Sequence, residues 1–584
     1  MKSLKSFVLT SIIVISCSPA FADNSLFLNK DSRFHPVISD RGMVVSQEAI
    51  ASRVGADILA AGGNAIDAAV ATGFALAVTL PRAGNIGGGG FMLVYLAEQK
   101  KTIAIDYREM APTTAHRDMF VNKQGDVDNA KARYSAQSSG IPGTVAGLLH
   151  ALKKYGRLSL SEVIQPAVKL ATQGFEVNHD LSDSLRSSAE RLQQQSASKR
   201  YFYKKNGDFY LPGDRLVQND LGATLSRIIE RGEVGFYQGR TAELIIAQMQ
   251  RSGGLITGED LTNYLVVERT PVCGTYRSAS LCAMPPPSSG GVHLLQMLNI
   301  LEGWDIAKLE HNSAAYMHLL IEAMRSAYAD RSLYLGDPDF TPVPVKQLID
   351  KQYAATLRAQ IDTQKARLSS EVPPGLDDFL AQQSPESDET THFSVWDKWG
   401  NIVSNTYTLN FAYGNGIAVE GAGFLLNNEM DDFSSKPGTA NAYGLIGGVA
   451  NAIAPHKRPL SSMTPSIVFD ATGDPIMATG SPGGSTIITI VLQMILNRVD
   501  FAMGIAEATA APRIHHQWLP DMVYYEKGIS SDSLHILQQM GHGVHSAPRV
   551  LGATQSIAIQ RGRLAGSADL RRQGAGAVPQ PNSP

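Results

Sequence analysis

Small apolar residues fill the stretch 47–80, which holds few charges and is interrupted by Gly62 and Gly63. An apolar stretch of this length with a glycine break predicts two packed helices. Two shorter apolar runs follow at 91–95 and 102–106, and they predict two strands joined by a turn at 96–101. This part of the chain therefore combines helices with strands.

Two longer helical regions come next. Residues 141–171 have helical spacing with Gly and Pro breaks, and 313–335 predict one long amphipathic helix. Gly336, Asp337 and Pro338 directly after it are typical of a helix end.

The character of the chain changes at 366–389, which is polar and acidic and contains prolines. Such a composition is typical of an exposed linker that can be cut. Strands are predicted directly after it at 391–396 and 401–409, with a turn at 397–400. Further strands are predicted at 466–469 and 476–479, helices at 487–499 and 533–540, and a frayed tail from Gly574.

The first 22 residues have the pattern of a secretory signal. Lys2 and Lys5 precede the short apolar run 7–17, and Ala20-Phe21-Ala22 has the form of a cleavage site. The mature chain is then expected to start at Asp23. The apolar run is too short for a membrane anchor, and no other stretch is expected to span a bilayer.

Composition excludes several classes of protein. The 584 residues are 43% hydrophobic and 18% charged, which is ordinary for a globular protein. The net charge of -3 argues against an electrostatic nucleic-acid binder.

Cys273 and Cys282 face each other if Arg277 and Ser278 form a hairpin turn. A disulfide and a pair of free buried thiols are both compatible with that geometry.

Thr390 follows the acidic linker and has special chemistry if the chain is cut before it. Its hydroxyl would be a nucleophile and its own α-amine a base, because an α-amine titrates near pH ~8. On these residues alone, a Thr pair that opens a strand is the simpler interpretation.

Two glycine-rich segments suggest close backbone approach. Residues 480–485, GSPGGS, lie between a predicted strand and a predicted helix, where N–H groups can stabilise an oxyanion or simply form a turn. Residues 83–91, AGNIGGGGF, lack the Lys of a phosphate-binding loop, so close packing is the better interpretation.

Charged and hydroxyl residues could form a site for a zwitterionic amino-acid head group. Arg108 supplies a cation, Asp432 an acid, and Ser461 and Ser462 two hydroxyls. The pair His515 and His516, together with His542 and His545, shows no metal-ligand spacing, so we interpret these histidines as structural or surface residues and expect no metal or cofactor.

Taken together, these motifs strongly resemble those of the bacterial periplasmic γ-glutamyltranspeptidases (glutathione hydrolases). The matching stretches occur in order over almost the whole chain: AGNIGGGGFM, DYREMAP, SGIPGTVAGL, MPPPSSGG, TTHFSV, TYTLN, LLNNEMDDFS, KRPLSSMTP, TGSPGGS, APRIHHQWLP and GATQSI. The C-terminal ADLRR departs from the family's usual SDPR, and the Cys pair is not expected across the family.

The resemblance implies an α+β fold, the αββα four-layer sandwich of the N-terminal-nucleophile hydrolases. It also implies a precursor that cuts itself between Glu389 and Thr390. A signal peptide (1–22) would precede a large subunit (23–389) and a small subunit (390–584), which remain together as a heterodimer in the periplasm.

The resemblance also implies a role for each site residue. Thr390 would be the nucleophile and Thr408 its hydrogen-bonding partner, with oxyanion N–H groups from Gly483 and Gly484. The substrate-binding residues would be Arg108, Ser461 and Ser462 for the α-carboxylate, Asn410, Glu429 and Asp432 for the α-ammonium, and Tyr443 in a lid. Some bacterial members have Gln in place of Glu429.

The implied activity is cleavage of glutathione and other γ-glutamyl compounds through a γ-glutamyl ester on Thr390. Water, an amino acid or a dipeptide would then take the γ-glutamyl group. Two alternatives remain at this stage: a related cephalosporin or glutaryl acylase, and a non-catalytic periplasmic binding protein on the same scaffold. No nucleic acid partner is expected, and no membrane partner after the signal is removed.

Overall fold

The structure is a computed structural model that describes residues 34–376, 390–436 and 447–582. The predicted signal peptide, the predicted cut at Glu389 and the predicted lid residue Tyr443 lie outside the described residues. No helix within these ranges has both the length and the hydrophobicity that crossing a bilayer requires.

Strands occur throughout the described ranges: β1 (Val37–Ser39), β2 (Met43–Ser46), β3 (Gly89–Leu96), β4 (Lys101–Tyr107), β5 (Phe175–Glu176), β6 (Arg215–Leu216), β7 (Val267–Arg269), β8 (Val272–Tyr276), β9 (Ala279–Ala283), β10 (Thr391–Trp396), β11 (Ile402–Thr408), β12 (Ser466–Phe469), β13 (Pro475–Thr479), β14 (Ile514–His515), β15 (Tyr524–Tyr525), β16 (Gln555–Gln560), β17 (Arg563–Ala568) and β18 (Gly576–Pro579).

The α-helices are α1 (Ala49–Ala60), α2 (Ala65–Thr79), α3 (Asn129–Tyr134), α4 (Thr144–Tyr155), α5 (Leu160–Gln173), α6 (His179–Ser187), α7 (Ala189–Gln193), α8 (Ser196–Phe202), α9 (Asn219–Arg231), α10 (Val234–Tyr237), α11 (Gly239–Ser252), α12 (Gly258–Thr262), α13 (Gly290–Leu301), α14 (Ala314–Tyr334), α15 (Val345–Leu348), α16 (Lys351–Ala359), α17 (Ile487–Val499), α18 (Ile505–Ala510) and α19 (Ser531–Gln539).

Two large antiparallel sheets form the centre of the molecule. One has the order β18-β2-β10-β11-β3-β4-β7, and the other has the order β1-β17-β16-β13-β12-β9-β8. Strands from before residue 376 and from after residue 390 occur in both sheets. The two predicted subunits therefore build one structure jointly.

The alternating side chains of β3 show which layer of the molecule covers each face of its sheet. In β3, Met92 and Val94 pack in the core that contains α1, α2 and α4, whereas Phe91, Leu93 and Tyr95 pack in the core shared with the second sheet. A strand sends successive side chains to opposite faces, so both faces of this sheet are covered. Helices α13, α14 and α17 cover the second sheet, which confirms the predicted αββα sandwich.

Most predicted elements are confirmed within a few residues, and three details are corrected. Helix α14 is buried on nearly every side instead of amphipathic. The tail is not frayed at 576–579, because β18 pairs with β2. The first part of the predicted linker is packed: the backbone N–H of Ser369 donates to Asp521, and that of Gly375 donates to Asp330.

The hairpin formed by β8 and β9 pairs Cys273 directly with Cys282. The two side chains form a disulfide, with 4.1 Å between the Cα atoms. Of the two possibilities that the sequence leaves open, the structure therefore has the bonded one.

Candidate active site

The register of two central strands brings Thr390 and Thr408 together. Thr391 pairs with Tyr407 across β10 and β11, so the residue before β10 lies beside the last residue of β11. The Thr390 hydroxyl lies 3.4 Å from the Thr408 hydroxyl oxygen, which also accepts a hydrogen bond of 2.8 Å from the Asn410 N–H. Both threonines are buried.

The glycines before β3 permit the loop that contains them to pack closely against the backbone of Thr408 and Leu425. A Cβ atom on Gly88 would lie 2.0 Å from the Thr408 carbonyl oxygen, and one on Gly87 would lie 2.1 Å from that of Leu425. The Asn85 side chain donates to the Thr408 carbonyl at 2.9 Å. The close-packing interpretation of the AGNIGGGGF segment is confirmed.

A pocket beside Thr390 brings together nine of the residues singled out in the sequence. Its lining consists of Arg108, Arg331, Thr390, Thr408, Asn410, Glu429, Asp432, Leu460, Ser461, Ser462, Met463, Gly484, Ser485 and Ile487. Gly483 is the neighbour of a lining residue and is not itself in the lining.

Arg108 is fully buried just after β4 and contacts two acids directly. Its guanidinium is paired with Glu429 and Asp432, and its Nε donates to the Pro459 carbonyl at 3.2 Å. Arg108 was expected to bind one end of a head group, and Glu429 and Asp432 the other end. In the structure these three side chains are in contact with each other. Burial by itself lowers the pKa of Arg108, but the surrounding carboxylates outweigh burial and raise it.

A third carboxylate, missed in the sequence, lies behind this pair. Glu109 is buried, with one oxygen 3.6 Å from the Arg108 guanidinium. Burial raises the pKa of Glu109 to about 7, against the opposing effect of Arg108. Burial likewise raises the pKa of Glu429 and of Asp432.

The acids around Arg108 have acceptor capacity to spare. Among the described residues, neither oxygen of Glu109, nor Oε2 of Glu429, nor Oδ1 of Asp432 has a hydrogen-bond partner, although all four atoms are buried. Carboxylates in excess over donors favour a ligand that brings N–H groups and positive charge, as an ammonium does. Asn410, at a left-handed φ of 74°, lies in the same wall.

Ser461 and Ser462 are arranged as hydrogen-bond donors. Ser461 Oγ accepts from the Met463 N–H at 3.0 Å, and Ser462 Oγ accepts from Arg331 at 3.1 Å. Neither hydroxyl hydrogen has an acceptor among the described residues, so both can donate to a bound anion. The pair therefore suits a carboxylate.

The segment between β13 and α17 forms the remaining wall. Gly483 has a φ of 133° and Gly484 a φ of 53°, conformations that favour glycine. The Gly483 carbonyl accepts from the Thr486 N–H at 2.9 Å, which begins the short turn before α17. Backbone N–H groups at such a turn can face a developing negative charge.

The sequence shows no metal-ligand spacing, but the tertiary structure brings together one cluster of residues that are able to bind a metal. His318, Glu322 and His542 approach one another closely enough to hold an ion. Their polar atoms are already engaged, because the two imidazoles hydrogen-bond each other at 2.8 Å and Glu322 is paired with Arg325 and Arg367. His515 and His516 are buried and hydrogen-bonded, as structural histidines are.

Sequence reasoning missed Glu109 and Arg331 for different reasons. Glu109 is adjacent to Arg108 in the DYREMAP motif, so its neighbour was a usable signal. Arg331 lies in α14, and only the tertiary structure shows that this helix reaches the pocket.

Known proteins resemble this chain in sequence over most of its length. Residues 51–578 match the family described as Gamma-glutamyltranspeptidase. The chain is 53% identical over 540 residues to the glutathione hydrolase proenzyme of Escherichia coli (strain K12), covering 92% of each chain.

Two solved structures are also similar to this chain. A Helicobacter pylori gamma-glutamyltranspeptidase chain is 47% identical, with a TM-score of 0.56, and the match covers 57% of this chain and 95% of that one. A cephalosporin acylase from Bacillus halodurans matches with a TM-score of 0.82 at 26% identity, over 96% of this chain and 99% of that one.

Proposed function

The chain belongs to the gamma-glutamyltranspeptidase family and is a γ-glutamyltransferase and glutathione hydrolase, and on this premise we propose that Thr390 is its nucleophile. The observation that supports this most is the pocket, which brings the Thr390 hydroxyl together with the serines Ser461 and Ser462 and the acids Glu429 and Asp432. Thr408 orients that hydroxyl, and the α-amine of Thr390 acts as the base once the chain is cut.

The γ-glutamyl group fits the pocket by charge. Its α-carboxylate takes hydrogen bonds from Arg108, Ser461 and Ser462, and its α-ammonium donates to Glu429 and Asp432. Asn410 completes the ammonium site. Because both charges are required, a Glu residue inside an ordinary peptide is excluded.

The reaction has two halves. The Thr390 oxygen attacks the γ-amide carbonyl, and N–H groups of Gly483 and Gly484 stabilise the oxyanion, each contributing about 3 kcal/mol. The amine leaves with a proton from the Thr390 α-ammonium. Water or the amine of an amino acid or dipeptide then attacks the ester and releases the γ-glutamyl group.

Self-cleavage uses the same hydroxyl. The Thr390 oxygen attacks the carbonyl carbon of Glu389, and the peptide bond breaks as the ester forms, which frees the Thr390 amine. Water then hydrolyses the ester and releases the Glu389 carboxylate and the Thr390 hydroxyl. The products are a large subunit, 23–389, and a small subunit, 390–584, which stay together because both contribute strands to both sheets. The signal at 1–22 directs export, which for a bacterial enzyme of this kind leads to the periplasm.

A related acylase activity is the second candidate, since the cephalosporin acylase from Bacillus halodurans has a similar fold over the whole chain. The two functions differ in whether the substrate carries an α-ammonium. In the described part of the chain, Oε2 of Glu429 and Oδ1 of Asp432 have no hydrogen-bond partner, which favours a substrate that does carry one.

Comparing two anilides decides between these functions. We expect kcat/KM for the L-γ-glutamyl anilide to exceed that for the glutaryl anilide, which lacks only the α-ammonium, by at least about a hundredfold, because buried acceptors reject a substrate without the matching donor. Asp432→Asn should reduce this preference. Equal or faster cleavage of the glutaryl anilide would assign the chain to the acylases.

A further inference from the structure

Arg331 is a second guanidinium in the pocket wall, contributed by α14. It is only 5% exposed and lines the same pocket as Thr390 and Ser462. Helix α14 is buried along almost its whole length, so the backbone that carries Arg331 is held in place from all sides. None of the roles considered so far requires this residue.

The contacts of Arg331 connect it to the carboxylate-binding serines. Its Nη2 donates to Ser462 Oγ at 3.1 Å, and its Nε donates to Ser289 Oγ at 2.9 Å. The Ser289 hydroxyl in turn donates to the Ser461 carbonyl at 2.8 Å, and the Ser289 N–H donates to the same oxygen at 2.8 Å. One guanidinium therefore holds both serines through two short chains of hydrogen bonds.

These bonds fix the direction of the Ser462 hydroxyl. A guanidinium can only donate, so Ser462 Oγ must be the acceptor of this bond. The hydrogen of the Ser462 hydroxyl must then point elsewhere, and no described residue offers it an acceptor. The hydroxyl is thus ready to donate to an anion in the pocket.

The charge of Arg331 acts in the same direction. Its guanidinium is near enough to Asp432 to help lower the pKa of that carboxyl, although burial, the larger effect, raises it. The pocket thus has positive charge from Arg108 and also beside Ser462. A bound carboxylate is stabilised by both.

We propose that Arg331 is a positioning residue that orients Ser462 and, through Ser289, Ser461, and thereby gives the enzyme its preference for γ-glutamyl donors with a free α-carboxylate. The inference rests on the proposed function, in which these serines bind that carboxylate. Arg331 acts through the serines and does not itself contact the reacting atoms.

The test compares two anilides that differ only in the α-carboxylate. The L-γ-glutamyl anilide carries it, and the 4-aminobutyryl anilide lacks it. For Arg331→Met we expect the ratio of the two kcat/KM values to fall by about tenfold to a hundredfold, which is typical for the loss of a hydrogen bond to a charged group. The fall should come from a higher KM for the γ-glutamyl anilide, with kcat nearly retained.

Milder variants keep the test decisive if Arg331→Met does not mature into two fragments. Arg331→Lys keeps the charge but cannot span both serines, and Ser289→Ala removes only the second anchor of the guanidinium. Both should lower the ratio by about threefold to tenfold. Arg358→Met is a matched control, because Arg358 donates to backbone carbonyls of α13 and does not line the pocket.

A double variant tests whether Arg331 acts through Ser462. In a Ser462→Ala background, Arg331→Met should change the ratio by only about threefold to tenfold, the part that the route through Ser289 and Ser461 carries, because the interaction with Ser462 is already gone. An undiminished effect in that background would contradict the proposed route.

The outcomes separate this inference from the proposed function. A wild-type enzyme that cleaves both anilides equally well would overturn the carboxylate site itself. A wild-type enzyme that prefers the γ-glutamyl anilide, with Arg331 variants that keep this preference, would overturn only the role of Arg331. An equal loss of activity on both anilides would show that Arg331 is merely structural.

Discussion

Thr390→Ala is expected to yield one uncut chain without measurable activity towards a γ-glutamyl anilide. The substitution removes the hydroxyl that we propose attacks both the Glu389 carbonyl and the substrate, so a single atom accounts for both losses. Denaturing gel electrophoresis shows the uncut chain, and anilide release measures the activity. Thr390→Ser keeps a hydroxyl and should still cut itself, at a lower rate.

The adjacent threonine provides a matched control. Thr391 is buried in β10, and its hydroxyl has no hydrogen-bond partner in the described part of the chain. Thr391→Val replaces that hydroxyl with a methyl group of similar size, so it should leave cleavage and activity nearly unchanged. A Thr390→Ala protein that is cut and active would refute the assignment of the nucleophile.

Arg108→Met is expected to lower kcat/KM for the γ-glutamyl anilide by at least about a thousandfold. The variant removes the cation proposed to bind the α-carboxylate, and it leaves Glu429 and Asp432 buried without their partner. Breaking a buried ion pair of this kind costs about 3–5 kcal/mol, so thermal stability should fall as well. Steady-state kinetics and thermal unfolding measure the two effects.

Two further variants sharpen this prediction. Arg108→Lys keeps the charge but not the forked geometry that pairs with two carboxylates at once, so we expect most of the loss to remain. Arg277→Met removes a partly exposed arginine that pairs with Asp500 and does not line the pocket, so it should leave kcat/KM unchanged. A change of less than tenfold for Arg108→Met would contradict the proposed substrate site.

The strands beside the proposed nucleophile could be predicted because their signal is local. The apolar runs at 391–396 and 401–409 are bounded by turn residues, and antiparallel pairing across a short turn fixes which residues are neighbours. The position of Thr408 beside Thr390 follows from that register.

Other features depend on partners that are distant in the chain. Residues 576–579 have a turn-like composition and form a strand only because β2 offers an open edge. The burial of α14 on all sides, and with it the place of Arg331, follows from packing between the second sheet and the elements that cover the helix. No periodicity in the sequence records either contact.

The sequence predicted which residues come together at the site better than it predicted how they contact one another. Arg108, Glu429 and Asp432 were expected to receive opposite ends of a head group, and the structure has them in direct contact. A sequence motif indicates which residues share a site. Which of them form ion pairs depends on burial, because a buried charge without a partner has a high free-energy cost. Glu109 is adjacent to Arg108 in the motif, but its buried position behind the ion pair is visible only in the structure.

N-terminal sequencing of the purified protein after denaturing electrophoresis tests self-cleavage and the nucleophile together. The account predicts two fragments, one beginning at Asp23 and the other at Thr390. A single intact chain with γ-glutamyl activity, or a second fragment that begins at any other residue, would contradict it.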